Sequence, residues 1–160
     1  MKATNLLLAV AVAVAFASPS ASAGESAKIR VDFTKCNPVA EPGYLFSLTG
    51  PATGDVQGSL TAKVAVYIPG ATHTYIEADY FVTASSPQDS FVASVAGRVT
   101  NATNLAVLYG YVNDTNEKWR GAQVRDDFLN FTNAAGVPCS MGTLVLTPRW
   151  NPAHDAGGGQ

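Results

Sequence analysis

The sequence predicts an all-β domain, an antiparallel meander of eight strands that closes into a barrel. Three observations support this fold class. No long segment carries the 3.6-residue apolar period of an amphipathic helix. Short runs rich in Val, Ile, Thr, Tyr and Phe are instead broken by Gly, Pro, Asn and Asp, which is typical of strands and turns. Glycine also recurs inside several of these runs, and repeated mid-strand glycines favour a strongly curved sheet.

Eight segments fit the strand pattern. In chain order they are residues 28–34, 44–49, 56–68, 73–84, 90–100, 105–113, 118–132 and 143–149. The glycines within them are Gly58, Gly97, Gly110 and Gly121. Because the connections are short, we expect consecutive strands to be antiparallel neighbours. Closure of such a curved meander removes its edges and favours a barrel; a two-sheet β-sandwich is the alternative.

The first residues have the pattern of a secretory signal peptide. Lys2 is followed by an apolar run of about 12 residues, short of the roughly 20 that span a bilayer. Ala21-Ser22-Ala23 fits a cleavage site, so we predict a leader over residues 1–23 and cleavage near Ala23. Residues 24–150 then form one exported domain, extracellular or periplasmic. Residues 151–160, which end in Gly-Gly-Gly-Gln, are predicted to be disordered.

The chain contains two cysteines, Cys36 and Cys139. In an oxidising compartment an isolated pair most simply forms one disulfide. No C-x-x-C motif and no Cys/His cluster is present in the sequence, so neither a metal site nor a cofactor is predicted. The pair is expected to join the first strand region to the last.

Charged residues are few, and the formal net charge is slightly negative. The chain has 10 Lys and Arg against 12 Asp and Glu, and charged residues make up 14% of it. Lys and Arg form no cluster, which argues against nucleic acid or an anionic membrane as a partner. No segment is predicted to span a membrane. The partners we expect are a small-molecule ligand and, in a homo-oligomer, a second copy of the chain.

Residues 73–84 carry two faces of different character. One face is apolar and includes Tyr80, whereas the other includes Glu77 and Asp79. The two carboxylates at positions i and i+2 would lie roughly 6.5–7 Å apart, a separation that suits a general acid and base as well as a solvated surface. Alternation alone does not decide which face points inward. A metal site with His73 is not predicted, because a straight strand spreads these side chains apart.

Three charged residues interrupt apolar strands further along the chain: Arg98, Arg125 and Asp126. Buried charges need partners, so an inward carboxylate–arginine network is one interpretation and an exposed or structural role is the other. The candidate catalytic residues are Glu77, Arg98 and Arg125. The candidate ligand-binding residues are Asp79, Tyr80, Tyr109, Trp119 and Asp126, which combine ring surface with polar groups.

The run Trp119-Arg120-Gly121-Ala122 resembles a motif of the allene oxide cyclase-like and dirigent-like barrels. The signal peptide pattern, the glycine-punctuated strands and the apolar last strand are similar as well. The resemblance implies an eight-stranded barrel with an apolar cavity, often in dimers or trimers. Some members of the group steer the cyclisation or coupling of reactive apolar intermediates. The double-glycine turn that usually precedes the motif in dirigent proteins is missing, and no catalytic residue is carried over.

Three function classes follow from these observations. The first is an exported barrel that binds a small apolar or aromatic ligand in its interior. The second is a cyclase or isomerase of the same barrel type, with an inward Glu77, Arg98 or Arg125 as acid, base or oxyanion partner. The third is a structural or interaction protein of the cell surface with an exposed tyrosine-rich wall.

Overall fold

A computed structural model describes residues 28–113 and 118–149 of the chain. Eight antiparallel strands close into one barrel, with each strand paired to the next and the first paired to the last. The strands are β1 (Ile29–Val39), β2 (Phe46–Gly54), β3 (Gly58–Pro69), β4 (His73–Ala84), β5 (Phe91–Thr100), β6 (Leu105–Val112), β7 (Gln123–Thr132) and β8 (Pro138–Thr147). The predicted all-β barrel is confirmed.

Two predicted segments, the signal peptide over residues 1–23 and the tail over residues 151–160, lie outside the described residues. Within the described ranges, no helix is long and apolar enough to cross a membrane.

Several strands differ in extent from the prediction. β1 continues to Val39 instead of ending at residue 34, and β2 runs through Gly50 to Gly54. Gly50 is needed because a Cβ there would lie 1.8 Å from the carbonyl oxygen of Thr34 in β1. β8 begins earlier than predicted, whereas β7 begins later, because residues 118–121 form a turn. Trp119 therefore lies in a turn and not in a strand.

The barrel interior is filled by alternate side chains of the eight strands. An eight-stranded barrel is just wide enough to be packed by side chains, and period-two alternation places every second residue inside. The largest fully buried side chains are Tyr80, Phe91, Leu60, Leu108, Leu144, Leu146, Val31, Val82, Val112 and Asp126. All but two of these are purely hydrocarbon. The two members with polar groups are Tyr80 and Asp126.

The predicted disulfide between Cys36 and Cys139 is confirmed. It joins β1 to β8 across the seam that closes the barrel, over a sequence separation of 103 residues. A loop of this length gives a disulfide stabilisation of about 4–5 kcal/mol in the chain-entropy description. We call this end of the barrel the disulfide end; β1, β3, β5 and β7 end there. The opposite end, where Trp119 lies, is called the Trp119 end.

Candidate functional site

A lysine, a tyrosine and an aspartate meet in the barrel interior. The ammonium nitrogen of Lys35 in β1 donates to the hydroxyl of Tyr80 in β4 over 2.8 Å. The Tyr80 hydroxyl in turn donates to Oδ2 of Asp126 in β7 over 2.7 Å. Lys35 is 2% exposed, Tyr80 2% and Asp126 0%. We call these three residues the lysine cluster; they form one hydrogen-bonded chain across the barrel.

Aromatic rings surround the amine of Lys35. Its nitrogen lies 4.1 Å from the ring centroid of Phe33 and 4.5 Å from that of Phe128. The ring of Tyr80 is also 4.5 Å away. Cation–π attraction at such distances stabilises a desolvated ammonium by roughly 2 kcal/mol. The rings thus help to offset the loss of water around a charge that contacts no carboxylate among the described residues.

Burial brings the pKa values of Lys35 and Asp126 closer together. Desolvation lowers the pKa of Lys35 from its ordinary 10.5 to about 8, against the opposing attraction of Asp126. Burial likewise raises the pKa of Asp126 to about 6, although Lys35 and the hydroxyl of Tyr80 favour the carboxylate. The pKa of Tyr80 is raised well above its usual value by burial and by Asp126. Oδ1 of Asp126 is buried and accepts no hydrogen bond from the described residues.

A cavity of about 460 Å³ opens at the disulfide end. We call it the mouth cavity. Its walls combine aromatic rings with amide and hydroxyl groups, a combination found where barrels bind small molecules. The lining residues are Pro38, Phe46, Leu48, Tyr67, Asn104, Asn130, Phe131, Thr132, Pro138, Cys139 and Ser140. The rings of Phe46 and Tyr67 meet edge to face, with centroids 6.3 Å apart.

The mouth cavity lies directly beside the layer that holds Lys35. Ser140 of β8 is the cross-strand partner of Lys35, and Asn130 of β7 is the partner of Ser140. The Ser140 hydroxyl donates to Oδ1 of Asn130 over 2.7 Å. Both of these residues line the cavity. The polar floor of the mouth cavity and the buried amine therefore belong to neighbouring positions on adjacent strands.

The three candidate catalytic residues lie on the outer wall of the barrel. Glu77 alternates with the buried residues Ile76 and Ala78, so its side chain points outward. Arg98 and Arg125 are exposed, and Arg125 pairs with Asp127 at 2.8 Å. The inward orientation that the cyclase hypothesis required of them is thus not the observed one. Their strands send Val99 and Asp126 into the interior instead, which leaves the arginines outside.

The candidate ligand-binding residues divide between three places. Tyr80 and Asp126 belong to the lysine cluster. Asp79 and Tyr109 lie on the outer wall, where Tyr109 is 59% exposed. Trp119 is part of the buried core at the Trp119 end, away from the mouth cavity. The structure therefore does not bring the five residues together into one site.

Outward-facing Asp79 has its own polar surroundings. Tyr44 donates to Oδ2 of Asp79 over 2.9 Å, and Ser94 donates to Oδ1 over 2.5 Å. The hydrogen bond to Asp79 raises the pKa of Tyr44. Glu77 accepts a hydrogen bond from Tyr75 over 2.8 Å. Within the described ranges no group of three His, Cys, Asp or Glu side chains is arranged to hold a metal ion.

Four apolar side chains on β6 form a second surface feature. Leu105, Val107, Tyr109 and Tyr111 are between 37% and 59% exposed. We call them the tyrosine face. A groove of about 310 Å³ lined by Glu77 and Asp79 runs along one side of it. A wider groove of about 750 Å³, lined by Arg125 and Arg149 among others, runs along the other.

Lys35 was missed as a candidate because its surroundings in the sequence look polar. The run Lys35-Cys36-Asn37-Pro38 reads as the end of a strand. Yet Val31, Phe33 and Lys35 alternate with polar residues, and the first two are buried. The period-two pattern that places Val31 and Phe33 inside also places Lys35 there. This alternation is the sequence signal that predicts an inward-facing Lys35.

Comparisons with known proteins add no relative. No protein-family model matches the chain, and neither the curated proteins nor the solved structures contain a match.

Proposed function

We propose that this chain is an exported β-barrel that binds a small apolar or aromatic molecule in the mouth cavity. The observation that carries the proposal is the cavity of about 460 Å³, framed by the rings of Phe46 and Tyr67 and by polar groups of Asn130 and Ser140. Its volume lies within the roughly 300–1,000 Å³ of small-molecule sites. The leader-like first residues and the disulfide support an oxidising compartment outside the cytoplasm.

The mouth cavity fits such a ligand better than the wider groove on the outer wall. The outer groove has a larger volume, but its lining includes the exposed charged side chains of Arg125 and Arg149. The mouth cavity instead borders buried residues, among them Leu48 and Ser140. A ligand there loses water from its apolar surface and can still hydrogen-bond at its polar end. The resemblance to allene oxide cyclase-like and dirigent-like barrels points toward the same kind of ligand.

The proposal is tested with a fluorescent probe, N-phenyl-1-naphthylamine, titrated into the exported protein. Thr132 lies exposed at the rim of the mouth cavity, so Thr132→Trp fills the cavity without changing the core. We expect this variant to bind the probe at least about tenfold more weakly, a loss of about 1.4 kcal/mol. Tyr67→Ala, which removes a wall of the cavity, is expected to weaken binding in the same direction.

Tyr109→Ala serves as the matched control on the outer wall. It removes an exposed ring from the grooves beside the tyrosine face and leaves the mouth cavity intact. Probe affinity is expected to remain unchanged in this variant. Loss of binding in Tyr109→Ala with normal binding in Thr132→Trp would move the site to the outer wall and contradict the proposal.

A second candidate function, self-association through the outer wall, rests on the tyrosine face. Its two flanking grooves differ in charge, with Glu77 and Asp79 on one side and Arg125 and Arg149 on the other. A two-fold axis parallel to β6 would place the acidic groove of one copy over the basic groove of its partner. We propose two copies of this chain as the occupant. Sedimentation at rising salt tests this: dimers that Tyr109→Glu abolishes support it, and a monomer at low salt and high concentration refutes it.

An enzyme of the cyclase or isomerase type is the remaining alternative. Glu77, Arg98 and Arg125 do not reach the mouth cavity, so the acid–base groups of such an enzyme would have to come from the lysine cluster. That requirement leads to a specific chemical inference about Lys35.

A further inference from the structure

Lys35 is the one described lysine that lies inside the barrel. Lys63 and Lys118 form ion pairs with carboxylates nearer the surface, at Glu41 and Asp89, and Lys28 is exposed. Lys35 instead contacts a tyrosine hydroxyl, and its carboxylate partner Asp126 is one phenol away. An amine that is desolvated among rings and lacks a direct carboxylate partner is the type that proteins use as a nucleophile toward carbonyl carbons.

Lys35 lies at a strand position next to the mouth cavity, so a ligand held in that cavity is the reaction partner to consider for its amine. Its cross-strand partner Ser140 lines the cavity, and the Lys35 side chain points to the same interior face. Lys35 itself is not among the lining residues: its amine lies next to that lining, between the rings of Phe33 and Phe128. We propose that Lys35 forms a reversible imine with the aldehyde or ketone group of an apolar, aromatic ligand held in the mouth cavity. This inference rests on the proposed binding function and adds the chemical class of the ligand.

The lysine cluster contains the proton path that the step needs. The proton of the Lys35 ammonium passes to the Tyr80 hydroxyl, which gives its own proton to Oδ2 of Asp126. The free lone pair of the amine then attacks the carbonyl carbon, and the electrons of the C=O π bond move to oxygen. Proton transfer yields a carbinolamine. Asp126 returns its proton through Tyr80 to the departing hydroxyl, which leaves as water while the C=N bond forms.

The atoms and charges of this step balance within the site. One amine and one carbonyl give one protonated imine and one water, and Asp126 ends as the carboxylate that faces the new cation. No oxidant or reductant takes part. The convergence of the two pKa values, with Lys35 lowered and Asp126 raised by burial, reduces the free-energy cost of the first proton transfer. The Asp126 oxygen that accepts no hydrogen bond can also take part in holding that proton.

The test is reductive trapping with 2-naphthaldehyde and sodium cyanoborohydride. The hydride converts an imine into a stable secondary amine, and peptide mapping by mass spectrometry then identifies the modified lysine. We expect one naphthylmethyl group on Lys35, formed at least about tenfold faster than on Lys63 or Lys118. The matched alcohol, 2-naphthalenemethanol, occupies the same space without a carbonyl carbon and is expected to slow the labelling of Lys35 alone.

Two variants keep the inference falsifiable if the obvious one fails to fold. Lys35→Met is expected to lose the fast adduct. Thr132→Trp leaves the lysine in place and fills the mouth cavity, so it is expected to block labelling of Lys35 while Lys63 and Lys118 react as before. Tyr80→Phe is expected to slow trapping and to leave the affinity for 2-naphthalenemethanol unchanged, because the proton path is cut and the cavity remains.

The outcomes separate the two proposals. Binding of 2-naphthalenemethanol without faster labelling at Lys35 would overturn the imine and leave the binding function standing. The lysine cluster would then be a structural element of the core. Absence of binding by either naphthyl compound, together with normal probe binding in Thr132→Trp, would overturn both.

Discussion

Asp79 and Tyr80 are neighbours in β4 but lie in different electrostatic surroundings. The Asp79 carboxylate lies on the outer wall, where it accepts hydrogen bonds from the hydroxyl groups of Tyr44 and Ser94. The Tyr80 hydroxyl lies in the interior between a lysine and an aspartate that water does not reach. Loss of a polar group is therefore expected to change the free energy of unfolding little on the outer face of the strand and strongly on the inner face.

The largest expected difference between these regions comes from removing one carboxylate from each. Asp126→Ala leaves Lys35 buried beside an unpaired hydroxyl, and breaking a buried charge pair typically costs about 3–5 kcal/mol. Asp79→Ala removes an outer carboxylate and is expected to cost at most about 1 kcal/mol. Urea denaturation at pH 7 measures both. Equal losses in the two variants would show that the interior is wetter than the burial of Asp126 implies.

Replacing the whole lysine cluster by apolar side chains is expected to reverse most of that loss. In Lys35→Met/Tyr80→Phe/Asp126→Leu no buried charge remains, and such replacements are often neutral or stabilising by about 1–4 kcal/mol. The barrel is therefore expected to fold at least as stably as the original chain. A triple variant that is as unstable as Asp126→Ala would mean that the cluster is required for the fold. A stable one would show that the fold does not require the cluster, which favours a chemical role.

The dependence of stability on pH sharpens the comparison further. Between pH 3.8 and about 6 the folded chain holds more protons at Asp126 than the unfolded chain does, so the free energy of unfolding falls as pH rises through this window. Between about 8 and 10.5 it holds fewer protons at Lys35, so the free energy of unfolding rises with pH. Both slopes should be absent from the triple variant. Thermal unfolding across pH 4 to 10 measures them, and identical profiles for the two proteins would contradict the assignment.

The smallest effect is expected from the hydrogen bond between Tyr44 and Asp79. Tyr44→Phe removes a hydroxyl at a half-buried position on the outer wall. The loss should be about 0.5 kcal/mol, less than for Asp79→Ala, which removes this bond and the one from Ser94. Because this bond raises the pKa of the Tyr44 phenol, ultraviolet titration should show one tyrosine fewer among the late-titrating set in the variant. If the tyrosine lost from the titration instead belongs to the normally titrating set, the bond is not maintained in solution.

Much of the fold could be predicted from the sequence because it depends on local chemistry. Turn-forming residues separate the runs of β-branched residues. The mid-strand glycines occur where two backbones approach closely, since a Cβ on Gly110 would lie 1.8 Å from the carbonyl oxygen of Ser94. The pairing of Cys36 with Cys139 followed from there being two cysteines. The strand ends were less accurate, since Lys35 and Gly50 have residue types that usually mark breaks but here continue a strand.

The candidate site could be predicted only in part. Alternation places Tyr80 on the apolar face of β4, and that face is the buried one. Arg98 and Arg125 were candidates for the interior because β5 and β7 carry apolar residues on both faces. In such strands alternation offers no contrast, so the packing of neighbouring strands decides the orientation. The side chain of Asp126, rather than that of Arg125, points inward, where the hydroxyl of Tyr80 links it to Lys35.

By itself, the sequence determined the strand periodicity and the curvature, which arise from residues acting on their immediate neighbours, and the disulfide, because the chain has two cysteines. Only the tertiary structure decided that Lys35 meets a tyrosine 45 positions away, and that this tyrosine meets an aspartate 46 positions further along. The physical reason is that contact across a barrel depends on the register and tilt of every intervening strand. No single strand records that register in its own pattern of residues.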